Sequence, residues 1–214
     1  MATEIHAVVI ADVRASRSRM DLRALLGKRL AAVSQKHLAQ KLIRLPYAVT
    51  AGDEFQTLTA NLQSLPALIL DLRAALRPLT LRVGVGFGSV ADRIQPPVNR
   101  LTGEPFEFAR AALDNVKGSA LYKFDVLTAF ASHNEEFNET INLLYGLHDT
   151  LLAGVTEKQW QAIRQFLATP ALEQTARRLK LDVSTVSRNL KRGYYWQLSE
   201  TAKSAGVLIQ RAFG

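Results

Sequence analysis

The 214-residue chain contains no cysteine. Disulfides, thiolate nucleophiles and thiolate zinc sites are thereby excluded. Histidine is scarce, and His6, His37, His133 and His148 lie far apart with no metal-ligand spacing. Each is read as a packing or surface residue. A bound metal would therefore need oxygen ligands, which points to Mg²⁺ or Mn²⁺. No apolar run approaches the roughly 18 residues that a membrane span requires. The opening segment MATEIHAVVIADV lacks a basic region followed by a small-residue cleavage site and reads as a first strand. A cytoplasmic protein with no membrane partner is expected. Internal repeats and low-complexity linkers are missing as well.

What remains is a globular composition, 48% hydrophobic and 21% charged. The net charge of +8 is unevenly spread: residues 151–214 carry ten Lys/Arg against four Asp/Glu, and residues 1–150 carry seventeen against fifteen. A basic final third suits a polyanionic partner, with plain solubility as the alternative.

The run IHAVVIADV (5–13) is almost continuously apolar and predicts a central strand buried on both faces. Helical periodicity follows from about Met20 to Leu42, with Leu22, Leu25, Leu26, Leu30 and Val33 on one face. LPYAVTAGDEFQTLTA reads as strand, tight turn and strand. A helix over 62–76, a strand over 79–90, a helix over 104–118, a strand over 121–132 and a further helix complete the order β-α-β-β-α-β-α-β-α. Its core, βαββαβ, is ferredoxin-like and predicts an α+β sandwich with an antiparallel sheet, sheet and helices on opposite sides. Residues 1–135 are assigned to this palm-type domain and 136–214 to an all-α domain.

Asp12 ends the first strand, and Asp53 lies at the tip of the hairpin in VTAGDEFQ. In a βαββαβ sheet these two elements are neighbours, and two close carboxylates favour a divalent cation between them. Asp53 is the preferred ligand, with a secondary role for Glu54, because adjacent strand residues point to opposite faces. After Asp12, the segment Val13, Arg14, Ala15, Ser16, Arg17, Ser18 leaves a strand and enters a helix, a suitable cradle for a triphosphate. The competing reading is a strand-end acid followed by a solvated cap. RVGVGFGSV lacks dinucleotide-fingerprint spacing and is followed by Pro96-Pro97 instead of a helix. Its glycines read as permitting a close backbone approach.

Together VVIADVRASR, VTAGDEFQ, RVGVGFGSV and FEFARAAL resemble the SatD-like family. More remotely, roughly the first 130 residues are similar to class III nucleotide cyclases and GGDEF-type palm domains. That resemblance implies metal binding by Asp12 and Asp53, a purine nucleotide held over Arg14–Ser18, and a catalytic role for Arg110. The cyclase pattern N-x-x-x-R places its Asn at Phe106, which has no hydrogen-bonding group.

In the basic tail, LEQTARRLKLDVSTVSRNLKRGYYWQL has a helix-turn-helix layout over about 171–192. Val183, Val186 and Leu190 are read as the apolar face of its second helix. Ser184, Thr185, Ser187, Arg188, Lys191 and Arg192 then face outward, suited to phosphates and base edges of DNA. A small helical bundle with a solvated basic face is the alternative. The combined expectation is a bacterial, homodimeric DNA-binding regulator with a Mg²⁺-nucleotide palm. Its rival is an active nucleotidyl cyclase or polymerase-like nucleotidyltransferase recruited to nucleic acid by its tail.

Overall fold

Strand β1, His6–Val13, is buried along its whole length. The reason is its place in the sheet. In the computed structural model, which describes residues 4–14, 22–119 and 121–214, the strand order is β2-β3-β1-β4-β5. Strand β1 pairs antiparallel with β3 (Glu54–Leu58) on one side and β4 (Leu81–Gly88) on the other. Strand β2 (Ala48–Ala51) pairs antiparallel with β3. The fifth strand, β5 (Thr128–Ala131), runs parallel to β4, so the sheet is mixed and not wholly antiparallel. The helical crossover from β4 returns the chain in the same direction, which forces parallel pairing. Strand β5 is also shorter than the apolar run 121–132: before it, Tyr122 and Phe124 stack on each other at 5.0 Å and line the side of a later helix at Gly146.

Alternation along β1 sorts its side chains onto two cores. Ala7, Val9, Ala11 and Val13 pack with Leu26, Leu30 and Val33 of α1 (Leu22–Ala39) and with Leu65, Leu68, Ile69 and Leu72 of α2 (Leu65–Leu76). Val8 and Ile10 pack on the opposite face with Ala109 and Leu113 of α3 (Glu104–Lys117). Helices thus cover both faces, where a one-sided sandwich was expected.

The glycines of β4 explain how α3 fits. Gly84 and Gly86 pair with Ile10 and Val8 in the sheet. A Cβ on Gly86 would lie 2.8 Å from Phe108 Cβ, and one on Gly84 would lie 2.8 Å from Leu113 Cβ, with backbone atoms of α3 nearer still. Helix α3 therefore rests its backbone directly on the strand, an approach that only glycine allows.

The helices after residue 134 pack partly against the sheet and partly against one another. Helix α4 (Glu135–Ala153), capped by the Asn134 side chain accepting from Phe137 N–H, buries Phe137, Ile141 and Tyr145 in the α1/α2 core. Helix α5 (Glu157–Ala168) begins with a reciprocal Thr156–Gln159 capping box. Helices α6 (Leu172–Leu179) and α7 (Val183–Arg192) then pack on α5 and the start of α8 (Tyr195–Phe213) through Trp160, Ile163, Phe166, Ala176, Val186, Leu190 and Leu198. Helix α8 continues into the sheet core, where Ala205 and Ile209 are buried and Phe213 stacks on Phe87 at 4.5 Å. Among the described residues there are five strands and eight helices, and no helix is long and apolar enough to cross a membrane.

Replacing Gly86 with valine should cost about 3 kcal/mol, read from the urea midpoint, because the helix above must lift. Gly27→Ala is the opposite case: nothing lies within 4 Å of the added Cβ, in the middle of α1. It should stabilise by roughly 0.5–1 kcal/mol.

Candidate functional site

The hairpin tip between β2 and β3 turns through Gly52, whose φ of +62° suits a residue without Cβ. This turn presents Asp53 to the end of β1, and Asp53 Oδ2 accepts the backbone N–H of Val13 at 3.1 Å. The two elements carrying Asp12 and Asp53 are thus brought together. The Asp53 oxygen is nevertheless bonded to the main chain of β1.

Asp12 and Glu54 lie on the α3 face of the sheet. A single atom joins them: Lys117 Nζ stands 3.1 Å from Asp12 Oδ2 and 3.5 Å from Glu54 Oε2. Arg110 forks Glu54, with Nη1–Oε2 at 2.5 Å and Nη2–Oε1 at 2.6 Å. Thr50 Oγ1 donates to Glu54 Oε1 at 2.8 Å. Arg82, the sheet partner of Asp12, brings its guanidinium to 3.9 Å from Asp12 Oδ2. Arg110 and Lys117 are seven residues apart, two turns of α3, and so project from one face of that helix.

Side-chain cations face the acids at this end of the sheet. Burial alone would raise the Glu54 pKa. Hydrogen bonds from Arg110 and Thr50, with the charges of Arg110 and Lys117, outweigh it and hold the carboxyl at about 2. Asp12 Oδ1 is buried without a hydrogen-bond partner, an acceptor that a metal would satisfy. Its sister oxygen, however, is held by an ammonium, Glu54 is forked by Arg110, and Asp53 faces the Val13 N–H. As folded, these residues do not fit a divalent ion. The expected Mg²⁺ or Mn²⁺ ligands Asp12, Asp53 and Glu54 instead tie the first strand, the hairpin and α3 together. Arg110, expected to be catalytic, has its guanidinium fork taken by Glu54.

For the nucleotide loop, Val13 is buried and gives its N–H to Asp53. Arg14 donates its N–H to Thr80 carbonyl at 2.8 Å and pairs with Asp125 at 3.1 Å. Ala15, Ser16, Arg17 and Ser18 lie outside the described residues. Sequence reasoning missed Lys117 and Arg82. The seven-residue spacing from Arg110 was the available signal for Lys117. Arg82 was visible only once the register of β4 against β1 was known.

In the tail, Lys180 adopts a left-handed conformation (φ 54°, ψ 46°) that ends α6, and Leu181 N–H returns to Ala176 carbonyl at 3.0 Å. Helix α7 restarts after Asp182 and is anchored by fully buried Val186 and Leu190. Ser184, Ser187, Arg188, Lys191 and Arg192 are exposed, and Thr185 is partly so. Val183, expected on the buried face, is 42% exposed, because it is the first helical residue and lies ahead of the packed stripe. Tyr195 is buried against Phe166, while Tyr194 and Trp196 remain exposed.

The sequence model of the SatD family matches residues 6–203. No curated relative matches. Among solved structures, the chain is similar to the regulator of polyketide synthase expression from Bifidobacterium adolescentis, at 13% identity over 99% of this chain and 82% of that one. The TM-score is 0.30, and a superposition that weak carries no inference about fold or function.

A Glu54 carboxyl held at about 2, against an ordinary 4.5, contributes stability that is fully present above pH 4.5 and is lost as pH falls toward 2. Glu54→Gln should lower stability at neutral pH and flatten the dependence between pH 4.5 and 2, with the two proteins converging at the acid end. Urea unfolding at a series of pH values measures this.

Proposed function

The chain belongs to the SatD family, and we propose that it is a DNA-binding regulatory protein in which α6, the turn at Lys180–Asp182 and α7 form a helix-turn-helix. The observation that supports this reading is the division of α7. Val186 and Leu190 anchor one face, while Ser184, Ser187, Arg188, Lys191 and Arg192 stand in solvent on the rest. Hydroxyls near the start of an inserted helix and guanidinium and ammonium groups along it match phosphates and base edges in a major groove. Most of the chain's excess positive charge lies in this final third. Two copies of the chain, with their α7 helices roughly 34 Å apart, would meet successive major grooves.

The order β2-β3-β1-β4 with its two crossover helices supports reading the first part as a βαββαβ palm. In this proposal the palm is a frame: it receives the far end of α8, whose near end packs on α7. No chemical step is assigned to it. The rival nucleotidyl cyclase or nucleotidyltransferase needs a cation between Asp12 and Asp53 and a free Arg110. Those side chains are instead engaged with Lys117, Val13 N–H and Glu54.

Duplex binding followed by fluorescence anisotropy should weaken steeply with salt, log K falling by about 0.9 per neutralised phosphate for each unit of log salt. Arg188→Ala and Lys191→Ala should each weaken binding roughly tenfold with unchanged circular dichroism, since both side chains are exposed. Salt-insensitive or absent duplex binding would remove the DNA reading. A cyclic or linked nucleotide formed from NTP and Mn²⁺, and lost in Asp53→Asn, would favour the rival.

A further inference from the structure

We infer that the cavity lined by Arg73, Arg77 and Trp160 is a binding site for a small monocarboxylate whose apolar body is about the size of a benzene ring.

The cavity holds about 160 Å³. Leu79 and Leu81 line it from the sheet core, and Leu152, Val155 and Trp160 line it from the core around α5. A space of this size with apolar walls takes a benzene ring. Two arginines in the wall set the charge of a fitting ligand. Arg73 is only 4% exposed. Its Nη1 donates to the Leu81 carbonyl at 2.7 Å, and its Nη2 to the Leu127 carbonyl at 2.9 Å and to Thr128 Oγ1 at 2.8 Å. All three acceptors are neutral. Asp149 Oδ1 stands 3.9 Å away, beyond hydrogen-bond reach, and its carboxylate already accepts from Leu127 N–H and Thr128 O–H. Burial pulls the Arg73 pKa down, and the charge of Asp149 offsets only part of this. Arg73 Nε is buried with no hydrogen-bond partner among the described residues, a donor that calls for an acceptor. Arg77 holds its guanidinium carbon 5.5 Å from the centre of the Trp160 ring. It reaches the half-exposed Glu157 through Nε and Nη2, so Nη1 stands outside that pair. An anion in this cavity is attracted by both cations where water screens them poorly. A bare phosphate would lose its hydration and gain nothing from the leucine and tryptophan walls. A carboxylate on a compact apolar body satisfies the arginines and fills the remainder.

The inference does not depend on the DNA reading and concerns ligand affinity alone. Sodium benzoate is the probe, added to the full-length protein at constant ionic strength. It should raise the melting temperature saturably, by roughly 3 °C at ten times its dissociation constant. In a Trp196→Phe background it should titrate the fluorescence of Trp160 with the same constant. Benzyl alcohol, which keeps the ring without the charge, and acetate, which keeps the charge without the ring, should each bind about tenfold more weakly or worse. Arg77→Gln should weaken benzoate about tenfold and leave benzyl alcohol unchanged. Ala153→Phe should abolish binding, because Ala153 is an exposed wall residue at the end of α4. Bulk added there covers the cavity and leaves the fold without ligand undisturbed. Absence of saturable benzoate binding by the wild type, equal affinity for benzyl alcohol, or undiminished binding by Ala153→Phe would overturn the inference.

Discussion

The direct seating of α3 on β4 governs the rest of the sheet region. Gly84 and Gly86 carry no side chains toward the helix, so its backbone descends onto the strand. Residues on the lower face of α3 are thereby brought to the level of the sheet edge. Ala109 and Leu113 enter the core beside Val8 and Ile10. Arg110 and Lys117 reach the acids at the ends of β1 and β3. A larger residue on β4 would raise the helix by the thickness of a methyl group or more, and the ion pairs at its end would lengthen with it. Apolar packing and the charged cluster are in this sense one arrangement, set by two missing side chains. The cluster in turn locks the hairpin, since Glu54 cannot shift without dragging Arg110, and Asp53 holds Val13.

A second constraint is the length of α8. Its first turns belong to the cluster that fixes α7, through Tyr195 and Leu198, and its last turns to the sheet core, through Ala205, Ile209 and Phe213. Phe213 closes an aromatic group with Phe87 and Phe137, at 4.5 and 4.8 Å. One helix thus spans two hydrophobic cores, and Leu70 and Ala74 of α2 join the second core from the sheet side. Movement of α7 relative to the sheet requires α8 to bend or to slide out of one core. The structure therefore favours a fixed presentation of the basic helix over a loosely tethered one.

Much of this was legible from residue pattern. The order of elements, the Gly52–Asp53 turn, the Thr156 cap and the two short tail helices follow from local chemistry that acts within a few residues. The close-approach role of the β4 glycines was also readable, because G-x-G-x-G puts every missing side chain on one face. The occupant of the acid pocket was not. Lys117 is 105 positions from Asp12 in the chain, and only the strand register and the height of α3 bring them together. The positions of the acids in the sequence say nothing of a cation arriving from a helix end. The packing of α4 was similarly hidden: it is amphipathic like any bundle helix, and its sequence does not say that it packs in the core of the sheet.

The two charged regions differ in where their cations go. At the sheet, Arg110, Lys117 and Arg82 face carboxylates within 4 Å and are largely neutralised by them. Their field is short-ranged, and their contribution is to hold strands and helix in place. On α7, Arg188, Lys191 and Arg192 stand in solvent, where their potential extends over a Debye length of about 8 Å at physiological salt. Charges of the first kind do not attract a polyanion, because a phosphate would have to displace a carboxylate already paired. Charges of the second kind lose only loosely held counter-ions on binding, and that release is favourable. The near-balanced count in residues 1–150 and the surplus in 151–214 therefore correspond to two physical uses of basic residues. Only the second leaves positive charge available to an outside partner.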